Sequence, residues 1–127
     1  MLVVTDDEQL VLVRQQRPGA GGPVVELPAG KLEPGETVLA AATRELAEEC
    51  GLSAAGWRTV GSFWAAPAYS TERVTVLAAE VDGHAFGEAD SDEQIEVLRI
   101  PAAEASRYVE DATSLAALTL HRKELPA

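Results

Sequence analysis

Gly30-Lys31-Leu32-Glu33-Pro34-Gly35-Glu36 and, seven residues later, Arg44-Glu45-Leu46-Ala47-Glu48-Glu49-Cys50-Gly51-Leu52 form the most informative stretch of this chain. Thr37 to Cys50 contains no Gly or Pro and is rich in Ala, Leu, Glu and Arg, and Gly51 stands where a helix would end. The composition predicts a helix over 37–50. At about 100° per residue, Glu45, Glu48 and Glu49 share one sector, because they are spaced i, i+3 and i+4. Leu39, Ala42, Leu46 and Cys50 fall on the neighbouring sector, the expected core contact, which turns the carboxylates toward something beside the core. Like charges at these spacings destabilise a helix by roughly a few tenths of a kcal/mol per pair. Compensation comes either from Arg44, one turn before Glu48, together with solvent, or from a hard divalent cation. Such a cation prefers carboxylate oxygen and keeps waters that a substrate phosphate can displace.

Outward from the helix, Leu2–Thr5 and Leu10–Arg14 are β-rich runs separated by a polar break of hairpin length, so the chain opens with two antiparallel strands. Pro18–Pro23 combines missing amide donors with glycine freedom and reads as an exposed loop before a short strand, Val24–Leu27. Downstream, Trp57–Trp64 and Arg73–Val81 alternate enough to be strands around a loop, Ala65–Glu72, that holds Pro67. Asp82–Gln94 is acidic and poor in hydrophobes and reads as a mobile loop. Ile95–Ile100 is a last strand, Pro101 suits the first position of a helix through Val109, and Thr113–Lys123 is a second helix with Leu115 and Leu118 along related faces. Strands and helices mix without strict alternation, which predicts a single α/β domain over 1–127 with a mixed sheet.

The chain has 127 residues, enough for one domain with its own core. Its net charge of −11 opposes polyanionic partners, so neither duplex nucleic acid nor an anionic membrane is expected. A small phosphorylated substrate stays compatible if a bound metal reverses the local sign. Residues 1–7 lack the basic start and apolar run of a secretory signal, and no stretch approaches the roughly 20 apolar residues of a membrane span. The lone Cys50 cannot form an internal disulfide, which suits the cytoplasm. It reads as a small hydrophobe of the helix face or as a nucleophile.

Written as G-x5-E-x7-R-E-Leu-x-E-E-x-G-Leu, residues 30–52 resemble the Nudix box at every defined position. The resemblance implies a Nudix-type α/β/α sandwich with a loop–helix–loop catalytic module that hydrolyses a nucleoside diphosphate linked to another group. It implies Mg²⁺, with Mn²⁺ as a substitute, held by Glu45 and Glu49, with Glu48 as a further ligand or a neighbour of the site and the Ala29 carbonyl as a contributor. Arg44 would orient these carboxylates, Glu36 would support loop and helix, and Gly30 and Gly51 would permit tight turns. Glu26-Leu27-Pro28-Ala29-Gly30, Val13–Pro18 and Pro67 look like the ADP-ribose pyrophosphatase subgroup, while Phe63–Glu72 matches its pattern in part. That subgroup implies a nucleotide-sugar substrate and a homodimer. Its members usually carry a further N-terminal segment that helps build the dimer and the adenine pocket, whereas this sequence starts at its first core strands.

Hydrolysis needs a water made nucleophilic beside phosphorus and cations that neutralise the diphosphate oxygens. Glu93 resembles the catalytic-loop glutamate of ADP-ribose pyrophosphatases and is the candidate base; its other reading is a solvated loop acid, and Glu48 is the second choice. Arg17 is a candidate phosphate or ribose contact and Glu26 a ribose or metal-shell partner, though either would also suit a strand-end ion pair. Trp64 and Tyr69 could stack on a base or belong to the core, and Glu72 is a further candidate for substrate binding. His84 and His121 lack partners at metal-ligand spacing. Three functions fit: hydrolysis of ADP-ribose or a related nucleotide sugar, cleavage of a nucleoside triphosphate with release of pyrophosphate, and ligand sensing without turnover.

Overall fold

The computed structural model describes residues 2–4, 7–85 and 94–124. Its strands are β1 (Leu2–Val4), β2 (Gln9–Arg17), β3 (Gly22–Glu26), β4 (Leu52–Trp64), β5 (Arg73–Ala85) and β6 (Ile95–Pro101), and its helices α1 (Val38–Cys50) and α2 (Ala112–Glu124). Leu10-Val11-Leu12-Val13 is apolar at every position, as a strand covered on both faces requires, and it lies at the heart of β2. Leu10 and Leu12 join one core cluster with Ala117 and Leu118 of α2, while Val11 and Val13 join another with Leu46 and Cys50 of α1. The alternation of a strand thus places a helix on each face of the sheet, the expected α/β/α sandwich.

β2 pairs antiparallel with β6 on one edge, and with β1 and β3 end to end on the other. β1 lies parallel to β5 from Leu2↔Ala78 to Val4↔Glu80, and β5 antiparallel to β4. Among the described residues the sheet is mixed, ordered β3-β2-β1-β5-β4 with β6 beside β2. On the β1 side no described strand pairs with β5 from Arg73 to Leu77.

Several elements differ from expectation. The 18–23 segment is a tight connection, one 3₁₀ turn at Pro18–Ala20, and Pro23 already belongs to β3, an edge position where its missing donor costs little. β4 starts five residues earlier than Trp57, absorbing Gly56 through register shifts, and β5 runs to Ala85 rather than Val81. Pro101 ends β6, and a 3₁₀ helix at Ala102–Arg107 replaces the expected helix through Val109. The chain leaves that helix early so that Glu110 can donate its N–H to the Val25 carbonyl (2.9 Å). On α1 the buried face centres on Ala41, Ala42, Leu46, Glu49 and Cys50, which leaves Leu39 at its edge and half-exposed. Leu115 is likewise half-exposed, because Ser114, Ala117 and Leu118 form the buried face of α2.

Candidate functional site

Thr37 accepts the Ala40 N–H on its Oγ1 (3.1 Å) and so starts α1, while Gly51, with φ of 64°, ends it by donating to the Ala47 carbonyl (2.9 Å). Between these caps Arg44 fastens the preceding loop to the helix. Its Nε and Nη2 grip both oxygens of Glu36 (2.8 and 3.0 Å), Nη1 donates to Glu45 (2.8 Å) and Glu48 (3.2 Å), and Nη2 also reaches the Lys31 carbonyl (3.0 Å). All five donors of the guanidinium are used. The hydrogen bonds from Arg44, and then the Glu33 N–H at 2.9 Å, lower the Glu36 pKa from 4.5 to about 2. In return Glu36, then Glu45, hold Arg44 still more firmly protonated.

The three helix carboxylates divide in role. Glu49 is buried at 6 % exposure and accepts the Ala29 N–H (3.3 Å). The Glu45 side chain is 16 % exposed and lies against Gly30 so closely that a Cβ there would sit 1.9 Å from its Cδ. A side chain at residue 30 would therefore displace the Glu45 carboxylate. Glu48 has a half-exposed side chain.

A cavity of about 490 Å³ is bounded by β3, β5, α1 and α2, with Leu27, Ala41, Ala42, Val76 and Ala117 among its walls. A second space of about 600 Å³ is bordered by Glu49, Gln15, Gln16, Gln94 and Ile95. Arg17, Ala29, Gly30, Lys31, Glu45 and Glu72 border both. Arg17 donates to Glu26 across the β2–β3 ladder (2.9 Å), and Gln15 donates to the same oxygen (3.1 Å). The two residues form an ion pair, and both line the first cavity.

The structure therefore brings together Arg17, Glu26, Ala29, Glu45, Glu49 and Glu72. It does not bring Glu48 to either cavity. Trp64 lies under the Arg73 guanidinium, 5.0 Å from ring centroid to Cζ, and Tyr69 is 88 % exposed; neither lines a cavity. Glu93 lies outside the described residues. Cys50 is buried, and desolvation followed by the charge of Glu49 pushes its thiol pKa up to about 12, so it is a core residue and not a nucleophile. Lys31 and Asp111 also line the first cavity and were not anticipated from the sequence. Lys31 occupies a variable box position, and Asp111 carries only the signal of a helix cap.

Among the described residues no three His, Cys, Asp or Glu side chains converge on one point. Glu45 and Glu49 instead offer hard oxygens to an open space from one helix face, beside the backbone of Ala29. That donor set fits a cation such as Mg²⁺, which is held by one or two carboxylates and completed by water and substrate phosphate.

A family model described as NUDIX domain matches residues 1–119. The chain belongs to the Nudix family. It is 37% identical over 112 residues to the ADP-ribose pyrophosphatase of Bacillus subtilis (strain 168), a match covering 87% of this chain and 60% of that protein. It is 30% identical over 130 residues to the ADP compounds hydrolase NudE of Escherichia coli (strain K12), covering 98% and 70%. A crystal structure of an ADP compounds hydrolase superposes with a TM-score of 0.82 at 26% identity, over 96% of this chain and 69% of that one. The chain thus spans about 60% of the length of its Bacillus relative. Nudix ADP-ribose pyrophosphatases generally depend on a divalent metal, in keeping with the carboxylate pair on α1. Among the described residues no helix is long and apolar enough to cross a membrane.

Proposed function

We propose that residues 1–127 act as one unit that hydrolyses the diphosphate bond of ADP-ribose or a related nucleoside diphosphate sugar, yielding a nucleoside monophosphate and a sugar phosphate. The observation that carries this reading is the junction at Arg17, Lys31 and Glu45, which borders a cavity on each side. A diphosphate with a substituent at both ends suits such a junction, whereas a triphosphate has one substituent. The similarity to an ADP-ribose pyrophosphatase and to an ADP compounds hydrolase supports it.

Glu45 and Glu49 would hold Mg²⁺, with Mn²⁺ able to replace it, and the Ala29 carbonyl would contribute. When bound, the ion would neutralise charge on the diphosphate oxygens and polarise water. Arg44 keeps Glu45 aligned through its five hydrogen bonds, and the Arg17–Glu26 pair presents a cation to a phosphate or ribose. Glu93 is the proposed base: it takes the proton from water as the oxygen attacks phosphorus and the bond to the bridging oxygen breaks. The position of Glu48, half-exposed and away from both cavities, supports Glu93 over it. A cytoplasmic location, supported by the lone buried cysteine, and a homodimer complete the reading.

The test is incubation of purified protein with Mg²⁺ or Mn²⁺ and ADP-ribose, sugar nucleotides, dinucleotides and nucleoside triphosphates, with product identification. Nucleoside monophosphate plus sugar phosphate is expected. Pyrophosphate release from a triphosphate, or no cleavage of any compound, overturns the reading. Light scattering decides the dimer.

A further inference from the structure

Three cations, Arg17, Lys31 and Arg73, line the first cavity. Arg17 is paired with Glu26 (2.9 Å), and Lys31, like Arg17, stands where the two cavities meet. Arg73 borders the first cavity alone and forms no ion pair among the described residues. It opens β5 directly opposite Trp64 of β4, and the loop between them is closed by the Ala65 N–H, which donates to the Glu72 carbonyl (3.1 Å). Val74 and Val76 pack with Ala117 and Leu118 of α2, so strand alternation turns Arg73 to the opposite face of the sheet, the one that α1 covers. There the guanidinium is held twice. Its Cζ lies 5.0 Å from the centroid of the Trp64 ring, and Nη2 donates to Ser62 Oγ (2.9 Å), which uses one of the five guanidinium donors. Trp64 itself borders neither cavity, so its ring supports the arginine. Four carboxylates, Glu26, Glu45, Glu72 and Asp111, line the same cavity, and an anion enters it only against a fixed cation.

From this arrangement we infer that Arg73 is a specificity residue, donating to the non-bridging oxygens of the phosphate borne by whichever half of the substrate fills the first cavity. The inference rests on the hydrolase reading for its substrate class. A planar guanidinium already fixed by a ring and a hydroxyl offers its remaining donors as a fork, which matches phosphate oxygens with little further ordering. The phosphate has two sources in a nucleoside diphosphate sugar, the nucleotide and the sugar phosphate.

Arg73→Gln removes the charge at an exposed strand end, where substitution disturbs folding little. Calorimetry in the presence of Mg²⁺ compares AMP with adenosine and ribose 5-phosphate with ribose, none of which has an anhydride to cleave, for the wild type and R73Q, each with its thermal unfolding. The expected result is a loss of about tenfold for at least one phosphorylated compound, with its unphosphorylated partner unaffected and unfolding near that of the wild type. A loss for AMP assigns the nucleoside half to the first cavity, and a loss for ribose 5-phosphate assigns the sugar half. Arg73→Lys, which keeps the charge and loses the planar fork, should lose a smaller part of the same affinity, and it carries the comparison alone if R73Q does not fold. Either variant matching the wild type for both phosphates overturns the inference. So does an equal loss for phosphorylated and unphosphorylated partners, or a wild type that prefers neither phosphate to its partner. Because the titration needs no turnover, a chain that cleaves nothing yet loses phosphate affinity in R73Q refutes the hydrolase reading alone. A chain that cleaves ADP-ribose while R73Q binds both phosphates normally refutes this inference alone.

Discussion

Arg44 and Glu36 show how single residues set the geometry of the carboxylates on α1. Glu36 titrates at about 2 in the folded chain against an ordinary 4.5. A depressed folded-state pKa means that its stabilising contribution is complete above 4.5 and is lost as pH falls from there toward 2. The difference in unfolding temperature between the wild type and Glu36→Gln should therefore be largest at neutral pH and shrink across that acid window; a constant difference would contradict the pairing. Gly30→Ala should dislodge Glu45, since the added methyl carbon would meet its carboxyl carbon at 1.9 Å. A fall in activity of roughly tenfold or more, accompanied by weaker metal binding, is the expected outcome. Glu49→Gln should reduce turnover by roughly a hundredfold while unfolding stays cooperative, and equal turnover would remove Glu49 from the metal site. For Glu93→Gln a large fall in kcat with metal affinity nearly unchanged is expected, and an unaltered kcat would return it to the role of a solvated acid.

The helix α1 and the sheet are coupled as elements. Because β2 alternates its faces, Val11 and Val13 anchor α1, and the same face continues through Gln15 and Arg17 into the cavities. The carboxylate stripe of α1 and the cation of β2 are thus brought to one place by a shared core. Thr37 begins that helix with a side-chain cap, and removing a Thr cap costs about 1 kcal/mol. Thr37→Ala should lower the unfolding temperature by about 4 °C, and an unchanged melting curve would show that the first turn is held by the Arg44–Glu36 clasp alone.

At the scale of the whole molecule, −11 of net charge is concentrated in part on a site that carboxylates line. A cation bound there stabilises the folded chain by mass action, about 2.7 kcal/mol at a concentration a hundred times its Kd. Mg²⁺ should accordingly raise the unfolding temperature of the wild type, EDTA should reverse the rise, and Glu45→Gln and Glu49→Gln should each suppress it. A shift of equal size in these variants would place the ion elsewhere.

The amino-acid order alone determined the C-terminal end and, to within a residue, the span of α1, the spacing of its carboxylates and the family resemblance of residues 30–52, because these depend on contacts a few positions apart. The strand starts at Gln9 and Leu52 and the 3₁₀ helix after Pro101 were not legible, since ladder register and the Glu110–Val25 tie override local propensity. Only the tertiary structure decided which acids matter together. Glu45, Glu48 and Glu49 look equivalent on a helical projection, yet packing buries Glu49, presses Glu45 against Gly30 and leaves Glu48 half in solvent. Likewise Asp111 and Arg17, far apart in the chain, line one cavity because β3, β5 and α2 pack around it.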